Sequence, residues 1–377
     1  MDNCQCADFL SMPPCSNPGV LRVSFVLVAT LILAASAGAA PTRKKAIWGP
    51  VAVAGRSQFP IYRALGVGIY EMDLSWRDVA TRRPAHPRDP SDPAYVWPAE
   101  VDQALTQGAR YGIRVSLLVM STPAWANGGR DGRWAPRHPR DYADFMAAAA
   151  RRYPAVHLWM VWGEPTKASN FQPLAPDHER PLRGRALRGA HIYARMLDAA
   201  YGALKRVSRR NFVIGGNTFT VGTVTPLRWI QALRLPNGRP PRMDLYGHNP
   251  FSARKPDLSR PPLGHGFADF SDLDTLAGWV DRYLRRSHQR RLRFFLSELS
   301  LPTDHANIEF NFHLSRAAQA SWLAAALRIT RRWWRIYTLG YLGLYDDPLR
   351  RDGLQVERGL LQRDGTPKPA FAAFRDG

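Results

Sequence analysis

The chain has 377 residues, of which 52 are Lys or Arg and 31 are Asp or Glu, so its formal net charge at pH 7 is +21. Hydrophobic residues make up 45% of the chain and aromatic residues 11%, which is enough to bury a sizeable core and excludes a globally disordered protein. A charge of this size is typical of proteins that bind anionic partners. No nucleic-acid-binding motif accompanies the basic residues, so nucleic acid is not expected as a partner.

A secretory signal peptide is predicted over residues 1–40. Arg22 precedes an apolar run at 23–35, and small residues follow up to Ala40, which is the usual layout of a cleaved export signal. The run is shorter than the roughly 20 apolar residues of a transmembrane helix, but an uncleaved membrane anchor is the alternative. Because the stretch before Arg22 is long for a signal, translation starting at Met12 is also considered. The chain is therefore expected to be secreted.

Cleavage near Ala40 would remove every cysteine, because Cys4, Cys6 and Cys15 all precede it. A cysteine nucleophile and a cysteine-ligated zinc site are then excluded. The histidines show no metal-ligand spacing, and no phosphate-binding loop, nucleophile elbow or zinc-protease motif is present. No cofactor or metal is expected.

From residue 45 onward, short apolar runs alternate with helical patterns. Strands are predicted over 45–51, 67–74, 113–120, 156–162, 212–216, 243–248, 293–298 and 337–344. Helices are predicted over 57–65, 98–111, 139–152, 189–207, 225–234, 271–286, 314–333 and 367–375. Eight strands buried on both faces and alternating with eight helices predict a (β/α)8 TIM barrel, a single α/β domain over residues 41–377. A doubly wound open sheet is the rival, but residues 49–55 lack the glycine-rich turn that usually follows its first strand.

Two glutamates close apolar strands of this predicted barrel. Strand 4 ends in Trp-Gly-Glu-Pro, which places Glu164 directly after it, and strand 7 ends in Ser-Glu, which contains Glu298. A carboxylate at such a position is costly unless it faces a polar site, and catalytic residues of these barrels lie at the carboxyl ends of the strands. Two carboxylates that face each other across a sugar are the groups that glycosidic bond cleavage requires.

The motifs and their order resemble the clan A retaining glycoside hydrolases. Residues 162–165 are similar to the Asn-Glu-Pro signature of that clan, 297–298 to its nucleophile strand and 246–251 to its His-x-Tyr element. Residues 359–371 resemble the end of the cellulase-like family 5 and xylosidase-like family 39 barrels. The resemblance covers nearly all of residues 45–377. It implies that a β-linked poly- or oligosaccharide is hydrolysed by double displacement.

In that resemblance, Glu164 would be the acid/base and Glu298 the nucleophile, separated by about 5–5.5 Å. Two positions depart from the pattern. Gly163 replaces the asparagine that usually binds the sugar 2-hydroxyl, and Glu71 stands where strand 2 would carry an arginine. Glu71 or Asp73 is therefore either a third carboxylate of the site or a polar group of the core.

Several residues at or beyond strand ends are candidates for substrate binding. Aromatic faces suit sugar CH groups. The candidates are His248, Asn217 and the aromatic residues Trp48, Trp76, Trp125, Trp134, Trp162 and Tyr345, with Asn170 and Phe171 as weaker ones. His248 would orient Glu298 or touch the sugar, or else simply end its strand. Asp346 and Asp347 are expected to cap a turn rather than bind substrate.

Most basic clusters are predicted at helix C-termini, where cations complement the helix dipole. These clusters are 151–152, 205–210, 285–293 and 331–335, and the barrel fold would collect them at the pole opposite the active site. This basic underside is expected to contact an anionic cell wall or membrane surface. Arg180, Arg183, Arg185 and Arg188 are the exception on the catalytic side.

Two other functions are kept open, namely a non-catalytic barrel that binds glycan and a binder of anionic polymers.

Overall fold

The computed structural model describes residues 42–175, 180–286, 290–305, 310, 312–348 and 356–377. Its centre is a closed barrel of eight parallel strands, in which each strand pairs with the next along the chain and the last pairs with the first. The strands are β1 (Thr42–Trp48), β2 (Val67–Ser75), β3 (Arg114–Met120), β4 (Leu158–Val161), β5 (Phe212–Phe219), β6 (Leu245–Asn249), β7 (Arg293–Leu299) and β8 (Ile336–Leu342). The predicted barrel fold is confirmed.

Helices surround the barrel. They are α1 (Phe59–Ala64), α2 (Trp76–Val79), α3 (Ala99–Tyr111), α4 (Ala124–Asn127), α5 (Pro139–Arg152), α6 (Arg188–Val207), α7 (Pro226–Ala232), α8 (Leu273–Tyr283), α9 (Arg316–Arg332) and α10 (Pro369–Asp376). Short 3-10 turns cover Gly184–Leu187 and Phe270–Asp272, and a small hairpin pairs Ala52–Val53 with Arg56–Ser57. None of the helices in the described ranges is both long and apolar enough to span a bilayer. The predicted signal peptide lies outside the described residues.

Two apolar layers hold these elements together. Inside the barrel, Ile69, Leu118, Met160, Ile214 and Phe295 pack against one another. A larger cluster fills the space between the outer faces of the strands and the helices. Because side chains alternate along a strand, each strand supplies residues to both layers. This rigid double layer fixes the positions of the residues at the strand ends.

The first strand differs from its predicted bounds of 45–51. It runs from Thr42 to Trp48, and Gly49 and Pro50 leave the sheet. Pro50 has no amide hydrogen to donate to a ladder, so a strand buried in a barrel cannot continue through it. The chain therefore enters the barrel earlier than the apolar run indicates.

The predicted placement of the basic clusters agrees with the helix ends. The last turn of α5 carries Arg151 and Arg152, that of α6 carries Lys205 and Arg206, and that of α9 carries Arg331 and Arg332. Each of these ends leads into the amino end of the next strand. The corresponding charges therefore collect at the amino-terminal pole of the barrel.

Candidate active site

Glu164 stands just beyond β4, on backbone that is sharply turned. Trp162 has φ +65° and Glu164 has φ +44°, a left-handed region that costs energy for residues other than glycine. Asn217 stabilises this turn, because its Nδ2 donates to the carbonyl oxygens of Trp162 at 2.6 Å and Val161 at 3.3 Å. A Cβ on Gly247 would lie 1.7 Å from Asn217 Oδ1, so the glycine makes room for this amide.

Asn217 was predicted to bind substrate, and the structure corrects that role. Its side chain is buried and spans two strands rather than facing a cleft. It acts on the main chain that carries Glu164, and is thus a positioning residue.

A bulge in β7 turns two successive side chains toward the barrel interior. Leu296 pairs with Leu339 and Leu299 with Tyr341, so β7 has one residue more than β8 over this stretch. An extra residue of this kind disrupts the alternation of side chains between the two faces of a strand. Ser297 Oγ donates to Glu71 Oε2 at 2.7 Å, and Glu298 lines the cleft above them.

Glu164 is held by three donors. The Lys167 ammonium lies 2.9 Å from its Oε2, Asn249 Nδ2 donates to Oε1 at 3.0 Å, and Asn170 Nδ2 donates to Oε2 at 3.4 Å. An ammonium and two amides all favour the ionised carboxylate. These three contacts fix the position of the Glu164 carboxyl group at the mouth of the barrel.

One amide group contacts both glutamates. Besides its bond to Glu164, the Asn249 amide hydrogen-bonds Glu298 and lowers the pKa of that carboxyl. Both carboxyl groups line the same cleft, and the charge of Glu164 raises the pKa of Glu298. The separation of about 5–5.5 Å that a retaining glycosidase requires stays a prediction.

Unlike Glu164, Glu298 lies among carboxylates. Burial, then the charge of Glu164, then that of Asp73 raise the pKa of Glu298 to about 8, although Lys167 and Asn249 oppose the shift. Asp73 is solvent-accessible at the mouth of the barrel, yet the protein packed around its carboxyl removes part of its hydration and raises its own pKa to about 6. Glu298 therefore holds its proton more strongly than an ordinary glutamate does, because its buried charge would lie beside those of Glu164 and Asp73.

The two carboxylates of β2, Glu71 and Asp73, have different surroundings. Glu71 is fully buried beneath Glu298, and burial raises its pKa well above the ordinary value despite the Ser297 hydrogen bond. Gly340 leaves space for it, since a Cβ there would lie 2.3 Å from Glu71 Oε1. Glu71 is a core polar group, whereas Asp73, two residues further along the same strand, is solvent-accessible and close enough to Glu298 for its charge to raise the pKa of that carboxyl.

The glutamates open into a cleft of about 650 Å3 whose walls are rich in phenylalanine. Phe219 and Phe251 have ring centres 5.5 Å apart, Phe251 and Phe310 5.8 Å, and Phe310 and Phe312 6.1 Å. None of these rings was among the predicted contacts. Phe251 closes the motif at 246–251, but the residues at 310 and 312 lie in a loop with no periodic pattern that would reveal them.

Two predicted aromatic contacts are corrected by burial. Trp76 and Trp162 are both 0% exposed, so neither offers an open ring face to a sugar. Trp76 packs on Phe145, and Trp162 meets Phe171 edge-on. They belong to the outer apolar layer, not to the cleft, because the strand ends turn these rings away from the barrel axis.

Trp125 and Trp134 are partly exposed but have a ring face covered by an arginine. Arg83 lies 4.7 Å from the Trp125 ring and Arg130 4.1 Å from the Trp134 ring. Trp125 also donates to the carbonyl oxygen of Ala80 at 2.8 Å. Neither tryptophan is among the residues that line the cleft.

Trp48 and Tyr345 line a neighbouring cleft of about 520 Å3 that shares Leu342 with the first. Trp48 Nε1 donates to the Ser297 carbonyl oxygen at 3.1 Å, and the Tyr345 hydroxyl donates to Gln58 at 2.6 Å. Both rings are partly open. A substrate chain that extends past the two glutamates would reach them, and their predicted sugar contacts stay predictions.

His248 does not reach the cleft, which corrects its predicted role. It is fully buried, with Nδ1 2.8 Å from Thr218 Oγ1 and Nε2 2.9 Å from the Ala268 carbonyl oxygen. Burial lowers its pKa to about 4. Because both ring nitrogens are already hydrogen-bonded, His248 is a neutral structural residue that links β6 to β5 and to the following loop.

The remaining candidates have structural roles. Asp346 accepts from the Gly359 amide at 2.8 Å and from Lys368 Nζ at 2.6 Å, so it secures a turn as expected. Phe171 is fully buried. Within the described ranges, no group of three or more His, Cys, Asp or Glu side chains is arranged to hold a metal ion.

The fold is shared with known glycoside hydrolases. A family 39 glycoside hydrolase of Bacteroides cellulosilyticus WH2 superposes with a TM-score of 0.64 at 17% identity, covering 89% of this chain and 63% of that one. A glucosidase from Croceicoccus marinus gives 0.59 at 16% identity, covering 90% and 66%. A family 39 β-xylosidase from Caulobacter crescentus gives 0.56 at 15% identity, covering 90% and 72%.

This chain therefore spans about two thirds of the length of these structural neighbours. No protein-family model and no curated sequence matches it. At such low identity the likeness establishes the barrel fold, and it confirms at that level the resemblance seen in the sequence motifs. What the barrel does has to be argued from the residues at its carboxyl end.

Proposed function

We propose that this chain, which has the barrel fold of the family 39 glycoside hydrolases, is a glycosidase that cleaves O-glycosidic bonds of a β-linked glycan with retention of configuration. The observation that carries the proposal is the pair of glutamates at the ends of β4 and β7, bridged by one amide at the base of a cleft. Their surroundings differ, as acid/base and nucleophile roles require.

The reaction would take two steps. In the first, Glu298 attacks the anomeric carbon and Glu164 gives its proton to the leaving oxygen, so that a covalent glycosyl-enzyme forms as the glycosidic bond breaks. In the second, Glu164 takes a proton from water, and the water oxygen displaces Glu298 from the sugar. The proton count of the pair is restored at the end of the cycle.

The pair must carry one proton in total for the first step. In the free protein, burial and the charges of Glu164 and Asp73 make Glu298 a strong proton holder. Attack requires Glu298 to be ionised and Glu164 to carry the proton. We infer that the contact between Lys167 and Glu164 weakens when a sugar occupies the cleft. The Lys167 ammonium also lies 4.6 Å from the centre of the Phe219 ring, and this partner would remain.

Asn249 is the best candidate to replace the missing strand-4 asparagine. Gly163 has no amide, and even a Cβ there would come within 3.0 Å of Leu118. Asn249 is buried beside both glutamates, and among the described residues its Oδ1 has no hydrogen-bond partner. We infer that this oxygen accepts a hydrogen bond from a sugar hydroxyl, which would satisfy an otherwise costly buried acceptor.

The phenylalanine rings of the cleft support a carbohydrate as ligand, because apolar rings suit the CH faces of pyranose sugars. The structural neighbours include a glucosidase and a β-xylosidase, so β-glucosides and β-xylosides are the first substrates to try. Secretion is proposed on the sequence of residues 1–40 alone.

A panel of aryl β-glycosides and polysaccharides, with release of aglycone or reducing ends as the readout, tests the proposal. Turnover that Glu298→Ala abolishes would support it. Gly163 and the protonated state of Glu298 favour a second candidate, a barrel that binds glycan without cleaving it. Tight oligosaccharide binding with no product across the panel would select that candidate.

A further inference from the structure

The amino-terminal pole of the barrel contains a pocket of about 1150 Å3, on the opposite end from the glutamate cleft. It is formed where several strands begin, at the starts of β1, β3, β5, β6 and β7 and in the turn before β8. Eight of its lining residues are basic, namely Arg43, Lys44, Arg114, Arg290, Arg291, Arg293, Arg331 and Arg332. The strand lengths separate this pole from the cleft by about 20 Å.

The charge of this pocket is poorly balanced by acids. Among the described residues, Asp244 is the one carboxylate in the lining, and Lys205 already pairs with it at 2.9 Å. Asp281, outside the lining, pairs with Arg291 at 3.5 Å and with the buried Arg335 at 3.0 Å. Most of the cationic charge is therefore left for a ligand.

Several of the cations are fixed in place without being neutralised. Lys44 and Arg293 both donate to the main-chain carbonyl oxygen of Ile336. Arg43, Arg114 and Arg293 surround the Tyr337 ring at 5.9, 6.0 and 5.0 Å from its centre. Carbonyl dipoles and a ring face orient these groups but leave their charge in the pocket.

Crowding of like charges is visible in the titration of the pocket. Burial, then the charges of Arg293 and Arg43, lower the pKa of Lys44 to about 8. Burial and Arg43 lower that of Arg293. An anion between these side chains would offset the repulsive part of both shifts.

Two exposed aromatic rings lie in the same lining. Trp334 is 55% exposed and Phe212 is 41% exposed, and both line the pocket. Aromatic rings beside basic side chains are the usual composition of a surface that lies at the headgroup level of a bilayer. In contrast, a pocket for small anions in water has no need of exposed tryptophan.

The path of the chain points to the same partner. β1 begins with Thr42 at this pole, and the apolar run at 23–35 ends a few residues earlier in the sequence. Whatever role that run has during export, the pole is the part of the barrel that immediately follows it along the chain. We propose that this basic pocket binds the phosphate groups of an anionic lipid surface, so that the barrel docks with its carboxyl-end cleft facing away from the membrane.

The test measures the affinity of the full chain for phosphatidylcholine vesicles with and without 30% phosphatidylglycerol, by co-sedimentation at low salt. The readout is the ratio of the two affinities, which removes any binding that the apolar run contributes to both vesicles. The pole variant is Arg43→Gln/Arg290→Gln/Arg332→Gln, three exposed residues of the pocket. The matched control is Arg183→Gln/Arg185→Gln/Arg188→Gln, three exposed residues on the catalytic side.

Each basic residue near an anionic leaflet contributes about a fivefold gain in affinity, so the pole variant should lower the ratio by about 100-fold and the control by less than threefold. Raising the salt to 0.5 M should also remove the preference. If the affinity ratio falls equally in the pole variant and in the control, net charge alone explains the binding, and the proposal is overturned. Duplex DNA that binds more tightly than the vesicles and competes for the same residues would overturn the choice of lipid. The test needs no enzymatic turnover, so its failure is separate from that of the proposed glycosidase.

Discussion

At the carboxyl end of the barrel, burial and the nearby charges of Glu164 and Asp73 raise the pKa of Glu298 to about 8. At the amino end, Lys and Arg side chains surround a pocket, and the pKa of Lys44 falls to about 8. Both ends concentrate like charges, which opposes folding unless another part of the structure compensates.

The two apolar layers between the poles supply the stability that offsets this repulsion. The poles differ in the kind of ligand that each one suits. The acidic cluster is small, half-buried and set among phenylalanine rings, so it suits a neutral ligand whose bonds react. The basic cluster is wide and mostly exposed, so it suits an extended anionic surface. The comparison predicts that variants at one pole leave the function of the other unchanged, because distant sites are usually additive.

The largest effect is expected from removing the nucleophile. Glu298→Ala should lower kcat/KM for an activated aryl glycoside by about 10⁵-fold or more, since no other group in the cleft is placed to form the covalent intermediate. Asp274→Ala, which removes an exposed carboxylate on α8, is the matched control and should leave the rate unchanged. Wild-type rates in Glu298→Ala would exclude the assignment.

Loss of the acid/base should cost less and should be partly reversible. Glu164→Ala is expected to slow turnover by roughly 10²–10⁴-fold. Added azide should restore part of the rate by attacking the glycosyl-enzyme without needing a general base, and the product would be a glycosyl azide. Azide that acts on Glu298→Ala would have to displace the leaving group directly and give a glycosyl azide of inverted configuration, whereas the azide product of Glu164→Ala should keep the configuration of the substrate. An inverted product from Glu164→Ala, or no rescue of that variant, would argue against these roles.

His248 lies buried between the two poles, and the pH dependence of stability shows whether it is neutral in the folded protein. Its folded pKa of about 4 lies below the ordinary value near 6.5, so only the unfolded chain takes up a proton as the pH falls from 6.5 to 4. The free energy of unfolding should therefore fall by about 3 kcal/mol between pH 6.5 and pH 4. His248→Gln should be less stable at pH 7 but should lose that part of the pH dependence, as measured by urea unfolding at pH 7 and pH 4. A pH dependence identical to wild type would contradict the neutral state.

The pH profile reports the charges around the pair. Activity should fall as the pair loses its single proton, near pH 8 in the wild type. Removing a negative neighbour by Asp73→Asn should move this basic limb to lower pH, and removing a positive one by Lys167→Met should move it to higher pH. The profile of kcat/KM between pH 5 and pH 10 measures both. Shifts in the same direction would be incompatible with this electrostatic account.

The smallest effect is expected from the pole variant with Arg43, Arg290 and Arg332 changed to Gln. Turnover of a soluble aryl glycoside should stay within twofold of wild type, and the free energy of unfolding within about 0.5 kcal/mol. A large loss of turnover would mean that the two poles are coupled through the barrel. Thermal unfolding and the aryl glycoside assay together check both values.

The order of elements was readable from the sequence because each strand is a short apolar run and each helix has its own pattern. The same alternation places Glu164 and Glu298 at strand ends. It does not reveal which way a residue points once the chain leaves its ladder. Trp162 lies on left-handed backbone and turns into the outer layer, while the β7 bulge turns Glu298 inward.

The walls of the cleft were not predictable for a related reason. Phe310 and Phe312 come from a loop, where neither period 2 nor period 3.6 marks the side that faces the site. His248 and Asn217 lie near the carboxyl ends of β6 and β5 but use their polar atoms on neighbouring strands. A polar residue at a strand end can be placed near the site from the sequence. Whether it touches substrate depends on whether another part of the protein already takes up its hydrogen bonds.

The most direct test of the central claim is to trap the covalent intermediate. The protein is incubated with 2-deoxy-2-fluoro dinitrophenyl glycosides of β-glucose and β-xylose, and its intact mass and peptide map are measured. Double displacement predicts a gain of one fluorosugar, located on Glu298 and absent from Glu298→Ala. Turnover of the parent glycosides without any adduct, or an adduct on a different residue, would contradict the proposed mechanism.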